Sequence, residues 1–296
     1  MRFYSVRIQD GRERLAAEQE AGVLFDITDF FPSMLDLIRG GSRAVQRVKD
    51  GFREAAALNA SDLTILAPIP RPHRDVYCVG WNYLKHFNEG VGKRGNQEIA
   101  LPEFPTFFNK ATRAVIGPHE PVPYDRLFTE KLDYEAEIAV IIGREGKNIP
   151  EDRAMDYVFG YTLANDISAR DVQRRHGGQW LKGKSMDGSC PLGPAIVTKD
   201  EVAAIEELNI RGLVNGEVRQ EARLSQLIFS IPRLIAELSR GMTLVPGDIL
   251  LTGTPDGVGF AMDPPLYLRP GDRLVVESDA LGRLENVVGL DSHEVR

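Results

Sequence analysis

Two glutamates one residue apart, Glu135 and Glu137, stand at the head of an apolar run, Ile138-Ala139-Val140-Ile141-Ile142. Apolar residues at every position predict a strand buried on both faces. Side chains alternate across a strand, so the two carboxylates share a side. Buried together they lose hydration and repel each other. Either one carboxylate is protonated, or a cation lies between them, for which a hard divalent metal with oxygen ligands is suited. The competing reading is an exposed strand end with both glutamates solvated. His86 and Glu89 offer a second chemistry. On a helical turn they share a face, and a carboxylate beside an imidazole orients it and raises its basicity, as a general base requires. The alternative is an incidental surface pair.

Asp166 follows a strand-like stretch, 159–164, and precedes a helix expected to begin near Ser168. It can supply a third oxygen ligand, or Asp166 or Ser168 can simply cap the helix. Lys184 lies in Gly183-Lys184-Ser185, where a lysine on a glycine-flanked turn can serve as a positioned cation for a substrate carboxylate or enolate. The tripeptide does not make a phosphate loop, because the earlier glycine and the strand–loop–helix context are missing. Lys182 reads as a surface lysine. The stretch 252–259, Thr-Gly-Thr-Pro-Asp-Gly-Val-Gly, is a tight loop whose amides and hydroxyls can receive an anion, or a glycine-rich turn without a ligand.

The elements that must position these groups follow from the pattern. Short strands are expected around Phe3–Ile8 and at 23–25, then a helix at 32–38 ending at Gly40-Gly41 and a second from Ser42 to about Leu58. Three prolines within 68–72 exclude a helix interior or a central strand and mark a boundary. Residues 1–70 are therefore expected to form a small N-terminal α/β domain and 71–296 the main domain. A strand at 76–80 leads to the His86 turn, and the polar connection 90–105 reads as a mobile, lid-like segment. The rest is largely β: a hairpin over 210–218 turning at Asn215-Gly216, a helix over 230–240, and two Pro-Gly-Asp turns feeding apolar strands.

The chain has 296 residues, 43% of them hydrophobic and 27% charged, with net charge −7. This is a soluble globular composition, and the acidic balance argues against nucleic-acid or anionic-membrane binding. Cys78 and Cys190 fit neither a disulfide framework nor a zinc site, and read as buried thiols. An amphipathic N-terminal strand and no apolar run of spanning length point to a cytoplasmic protein.

In order along the chain, Gly80-Trp81-Asn82-Tyr83 with His86 and Glu89, Asp133-Tyr134-Glu135-Ala136-Glu137, 165–173, Gly183-Lys184-Ser185 and 252–259 resemble the fumarylacetoacetate hydrolase superfamily over about residues 72–290. The resemblance implies an α+β, β-rich fold with a mixed β-roll, and a homodimer. It implies a Mg²⁺ or Mn²⁺ site held by Glu135, Glu137 and Asp166. It also implies a water-activating His86–Glu89 dyad on a lid, Lys184 beside the substrate, and Lys110, Arg170, Gln173 and Thr254 as substrate-binding residues. A 2-oxo acid would chelate the ion, whose Lewis acidity stabilises an enolate. The expected reaction is hydrolysis of a C–C bond in a 2,4-dioxo acid such as an acylpyruvate. The alternatives are decarboxylation of oxaloacetate or tautomerisation of a 2-oxo diacid on the same site. A non-catalytic metal-stabilised protein is the remaining option. Trp81 departs from the pattern, standing where some relatives carry Arg, and so removes a substrate-carboxylate contact available to them. The connection 90–105 is longer than in compact members, and residues 1–70 carry no site residue.

Overall fold

The computed structural model describes residues 1–20, 22–52, 55–95 and 98–291. Its centre is the apolar run after Glu137, which forms the strand Ala136–Ile142 with every residue buried. This strand pairs antiparallel with Val158–Asn165, also buried throughout, and on its other side with Ile249–Leu251. A strand paired on both edges and covered on both faces has no solvent side, which is why it shows no polar alternation.

From this centre the sheet extends one way through Cys190–Thr198, Arg2–Ile8, Glu13–Glu20, Val23–Asp26 and Ala57–Leu58. The other way it continues through Val76–Gly80 and Thr106–Lys110. A second sheet runs in the order Glu217–Arg223, Asn209–Val214, Arg273–Ser278, Gly282–Asp291 and Val122–Tyr124. Ile138, Val140 and Leu163 of the first sheet and Ile210, Val276 and Leu284 of the second share one apolar core. Parallel pairings of Ile249–Leu251 with Val76–Gly80, and of Gly282–Asp291 with Val122–Tyr124, make both sheets mixed. The fold is α+β and β-rich, as expected.

The first strands do not stand apart. Arg2 and Phe3 pair with Val197 and Ile196, and one apolar cluster joins Phe3, Leu37 and Ile38 to Ala139, Cys190 and Leu251. The boundary proposed at 70/71 is therefore one of sequence, since sheet and core run across it. The two helices expected around Gly40-Gly41 are present within Met34–Gly51, separated by a kink at Gly41 (φ 57°, ψ −144°), and the first is capped by Ser33. The expected extension to Leu58 is not made. Ala57–Leu58 instead pairs with Val23–Asp26 and forms the edge of the sheet, so sheet pairing overrides the helix preference of Ala57; residues 53–54 lie outside the described residues. A 3₁₀ helix, Glu151–Tyr157, leads into the strand Val158–Asn165. The hairpin turns at Asn215-Gly216, both at positive φ, and the late helix spans Ile231–Ser239, as the sequence implied. No helix among the described residues is long and apolar enough to cross a membrane.

One buried side chain ties the site's walls together. Asn82, fully buried, donates from Nδ2 to the carbonyls of Thr252 (2.8 Å) and Phe229 (3.0 Å) and accepts from the Phe229 amide (2.7 Å). It thereby fastens the end of Val76–Gly80 to both the 252–259 loop and the start of the late helix. Asn82→Ala removes these partners from buried backbone groups and is expected to cost about 3 kcal/mol of stability. Chemical denaturation measures this, and a loss under about 1 kcal/mol would contradict the role assigned to Asn82.

Candidate active site

Register assembles the acidic cluster. Ala136 pairs with Asn165, the Asp166 amide donates to the Glu135 carbonyl (2.8 Å), and the Glu135 amide donates to Asn165 Oδ1 (3.0 Å). Asp166, just past the end of one strand, therefore meets Glu135 just before the start of its neighbour. Ligand atoms of Glu135, Glu137 and Asp166 lie within 4.8 Å of one another, and all three residues are buried. The solvated reading of the two glutamates is thus excluded.

Three cations enter this cluster. Lys184 Nζ bridges Glu135 Oε2 and Asp166 Oδ2, both at 2.7 Å. Lys110 Nζ binds Asp166 Oδ1 (2.7 Å) and the Ile167 carbonyl (3.0 Å). Arg170 contacts Glu135 Oε1 at 2.7 Å and Asp133 Oδ2 at 2.8 Å. Lys184 arrives on the short helix Leu181–Lys184, which lies against Arg170–Arg175 only because residue 183 is glycine. A Cβ there would sit 2.4 Å from the Gln173 backbone nitrogen.

Glu137 is the exception. It has no ion pair among the described residues, and its Oε2 accepts only the Gly253 amide, at 2.6 Å. Burial pushes its carboxyl well above the ordinary range, with the charges of Asp166 and Glu135 adding to the effect. For Glu135, burial acts in the same upward direction, but Lys184 and Arg170 outweigh it and hold the carboxyl below the ordinary range. Four buried carboxylates, counting Asp133, thus face three buried cations, and the excess negative charge falls on Glu137. All-oxygen donors with charge to spare fit a hard divalent cation.

A narrow cavity opens onto the cluster, lined among others by His86, Glu135, Glu137, Arg170, Gln173 and Thr254. His86 and Glu89 lie on the helix Leu84–Glu89, with Nδ1 and Oε1 2.7 Å apart; the incidental-surface reading fails because His86 is buried. Glu89 Oε2 accepts the Gly257 amide at 2.8 Å, so the carboxylate is itself held. With Nδ1 engaged by Glu89, Nε2 is the ring nitrogen left for a substrate.

The expected helix-cap role for Asp166 or Ser168 is not seen: the Ser168 hydroxyl donates to the Asp166 carbonyl instead (2.9 Å). Lys184 lines the cavity, but Lys110 is not among the residues lining it and stands behind Asp166. The Thr254 hydroxyl donates to the Ala136 carbonyl (3.0 Å) and accepts from Gln220 (2.8 Å). The 252–259 loop does receive anions, but they are the protein's own: Glu137 at Gly253, Glu89 at Gly257 and Asp133 at Gly259. Of the lid-like connection 90–105, residues 96–97 lie outside the described residues; Lys93 reaches the Ala261 carbonyl, and Arg94 lines the cavity. Sequence reasoning missed Asp133 as the partner of Arg170, and missed Arg94, Arg174 and Trp180 as lining residues. Arg94 sits between Gly92 and Gly95 in a segment read only for its flexibility. Both cysteines are buried and free, as read; burial pushes Cys190 up to about 12, which makes it a poor nucleophile.

Fold and cavity together define a mixed-sheet protein whose central strands converge on a cation-ready carboxylate triad facing a His–Glu pair. The model of the family described as fumarylacetoacetate (FAA) hydrolase C-terminal matches residues 75–289, and the chain belongs to the fumarylacetoacetate hydrolase family. It is 39% identical to the oxaloacetate tautomerase YisK of Bacillus subtilis, with 97% of each chain covered. It is 41% identical to the mitochondrial oxaloacetate tautomerase fahd2 of Xenopus laevis, over 91% of this chain and 84% of that one. Among solved structures, a fumarylacetoacetate hydrolase from Exiguobacterium antarcticum superposes with a TM-score of 0.83 at 36% identity, covering 98% of this chain and 99% of that one. A maleylpyruvate hydrolase from Sphingobium sp. SYK-6, in complex with manganese(II) and pyruvate, superposes with a TM-score of 0.79 at 29% identity, covering 99% and 100%.

The unpaired charge on Glu137 generates a prediction. A proton and a cation compete for this carboxyl, so divalent-cation uptake should release protons and weaken as pH falls. Calorimetric titration in buffers of differing ionisation enthalpy reads the released protons. Glu137→Gln should lower affinity at least 10-fold and abolish the proton release; unchanged affinity would remove Glu137 from the cation site.

Proposed function

We propose that the protein catalyses the enol–keto tautomerisation of oxaloacetate, or of a closely similar 2-oxo diacid, at the Glu135–Glu137–Asp166 site. The observation that carries this reading is the near full-length likeness to oxaloacetate tautomerases at 39% and 41% identity, against 29% for the maleylpyruvate hydrolase. Glu135, Glu137 and Asp166 would hold Mg²⁺ or Mn²⁺, and the manganese in the maleylpyruvate hydrolase structure supports that choice. When bound, the ion would supply Lewis acidity at the substrate's 2-oxo group.

The chain's own residues supply the proton handling. Tautomerisation moves one proton between the C2 oxygen and C3, with no net gain or loss of atoms or electrons. His86 Nε2 takes the proton from one position and returns it to the other, while Glu89, 2.7 Å from Nδ1, steadies the imidazolium. Glu89 is fixed for this task by the Gly257 amide. Lys184 Nζ, at the cavity wall between Glu135 and Asp166, offers a positive charge to the developing negative oxygen. Arg170 and Gln173 line the same cavity and orient the substrate. Thr254 holds the mouth of the strand through the Ala136 carbonyl, and Lys110 acts through Asp166.

Hydrolysis of a 2,4-dioxo acid is the second reading, favoured by the same His86–Glu89 pair, which can activate water in place of moving a substrate proton. As the family resemblance implies, the proposal includes a homodimer. One assay set separates the readings. Decay of enol-oxaloacetate absorbance, enzyme-coupled pyruvate release and acetylpyruvate cleavage are followed with Mg²⁺ or Mn²⁺. Accelerated enol decay without pyruvate release supports tautomerisation; cleavage of acetylpyruvate without enol decay would replace it with hydrolysis. His86→Gln should reduce the rate about 100-fold or more while cation affinity survives. Loss of cation binding in that variant would show that His86 is not acting as the base.

A further inference from the structure

The cavity contains a buried cation that the acidic cluster does not use. Arg94 is 4% exposed and lines the cavity together with His86, Glu135 and Glu137. Its Nη2 donates to the Phe87 carbonyl, while its Nε and Nη1 have no hydrogen-bond partner among the described residues. The nearest carboxylate oxygen paired with it, Glu98 Oε2, is 3.8 Å from Nη1, on a side chain that is 39% exposed. Buried guanidinium N–H groups left without an acceptor are costly, and a carboxylate is the natural acceptor for a guanidinium.

The surroundings hold this guanidinium in place. It lies over the Phe87 ring (4.3 Å) and the Trp81 ring (5.6 Å), and Trp81 meets Trp180 edge-on at 4.7 Å. Trp81 adopts φ 56°, a left-handed conformation that an aromatic residue seldom takes and that stores backbone strain. Gly90 leaves the space, since a Cβ there would stand 2.9 Å from Arg94 Nε. Arg174, over the Phe260 ring, lines the same cavity, so a second guanidinium outside the acidic cluster stands at the cavity wall.

We propose that Arg94 forms a subsite for the second carboxylate of a small dicarboxylate whose 2-oxo acid end lies at the Glu135–Glu137–Asp166 cluster. The subsite selects 2-oxo diacids over monoacids. It deepens the proposed function and rests on it for the placement of the first carboxylate.

Trp81 and Trp180 are the two tryptophans of the chain, so intrinsic fluorescence reports on this corner without turnover. The Mg²⁺-loaded protein is titrated with malate and with lactate, unreactive 2-hydroxy acids that differ in the second carboxylate. Malate should bind at least 10-fold more tightly than lactate. Arg94→Met, which keeps the apolar stem, should erase that preference while leaving lactate affinity unchanged, and Arg94→Lys should restore part of it. For oxaloacetate, Arg94→Met should raise KM about 10- to 100-fold with a smaller change in kcat. Equal loss of malate and lactate binding in Arg94→Met would make Arg94 a packing residue and overturn the subsite, as would a wild-type protein that does not discriminate. Arg94-dependent discrimination without oxaloacetate tautomerisation would overturn the proposed function and leave the subsite standing. Tautomerisation unaltered in KM by Arg94→Met would do the reverse.

Discussion

Charge balance in the buried cluster is the constraint from which the rest of the structure can be understood. Asp133, Glu135 and Asp166 each have a buried cation within 2.8 Å, and Glu137 has none among the described residues. Such a network is a poor source of stability, because desolvating each ion offsets most of the attraction it gains. A hydrophobic arrangement of the same volume would hold the sheet at least as well. The network is explicable as a site kept one positive charge short, with its geometry fixed before any ligand arrives. The surrounding sheet serves that purpose: two fully buried strands in fixed register place Glu135 opposite Asp166, and Gly183 lets one short helix bring Lys184 between them.

The 252–259 loop connects the parts that must act together. Its amides hold Glu137 of the cluster, Glu89 of the His86–Glu89 pair and Asp133, the partner of Arg170. Glycine is required where the loop passes closest to other backbone: at Gly257 (φ 102°) a Cβ would lie 1.8 Å from the Arg219 carbonyl oxygen. Backbone N–H groups solvate a carboxylate without adding a titratable cation, so the loop steadies three anions and leaves the charge deficit intact. Asn82 then joins this loop to the strand that leads into the His86 helix, which ties the His86–Glu89 pair to the cluster through buried hydrogen bonds.

Much of this was legible in the residues, for physical reasons that differ from place to place. The buried strand after Glu137 and the hairpin at Asn215-Gly216 are local patterns, and local patterns survive folding. Asp166 could be suspected, but only strand register shows that it meets Glu135, and register is a property of two segments. The loop's affinity for anions was readable, whereas the identity of those anions was not, since Glu89 and Asp133 reach it from 168 and 126 residues away. The helix expected to reach Leu58 failed because the strand Val23–Asp26 offered Ala57 and Leu58 backbone partners. Arg94 escaped notice because its significance lies in what it does not bond, and unmade hydrogen bonds leave no trace in a sequence.

The proposed Arg94 subsite bears on why a site whose His86–Glu89 pair could activate water would move a proton instead. In a 2,4-dioxo acid the atom beyond C3 is a ketone carbon, an electrophile that water delivered by His86 can attack. In oxaloacetate the same position is a carboxylate, whose negative charge repels a nucleophile and whose carbon is a poor electrophile. If Arg94 fixes that carboxylate, the atoms left within reach of His86 Nε2 are C3 and the oxygen on C2. A base held at those two positions exchanges a proton between them. Under the proposed function the same His86–Glu89 pair would serve either reaction, and the group at C4, which the proposed Arg94 subsite would select, would decide which one occurs.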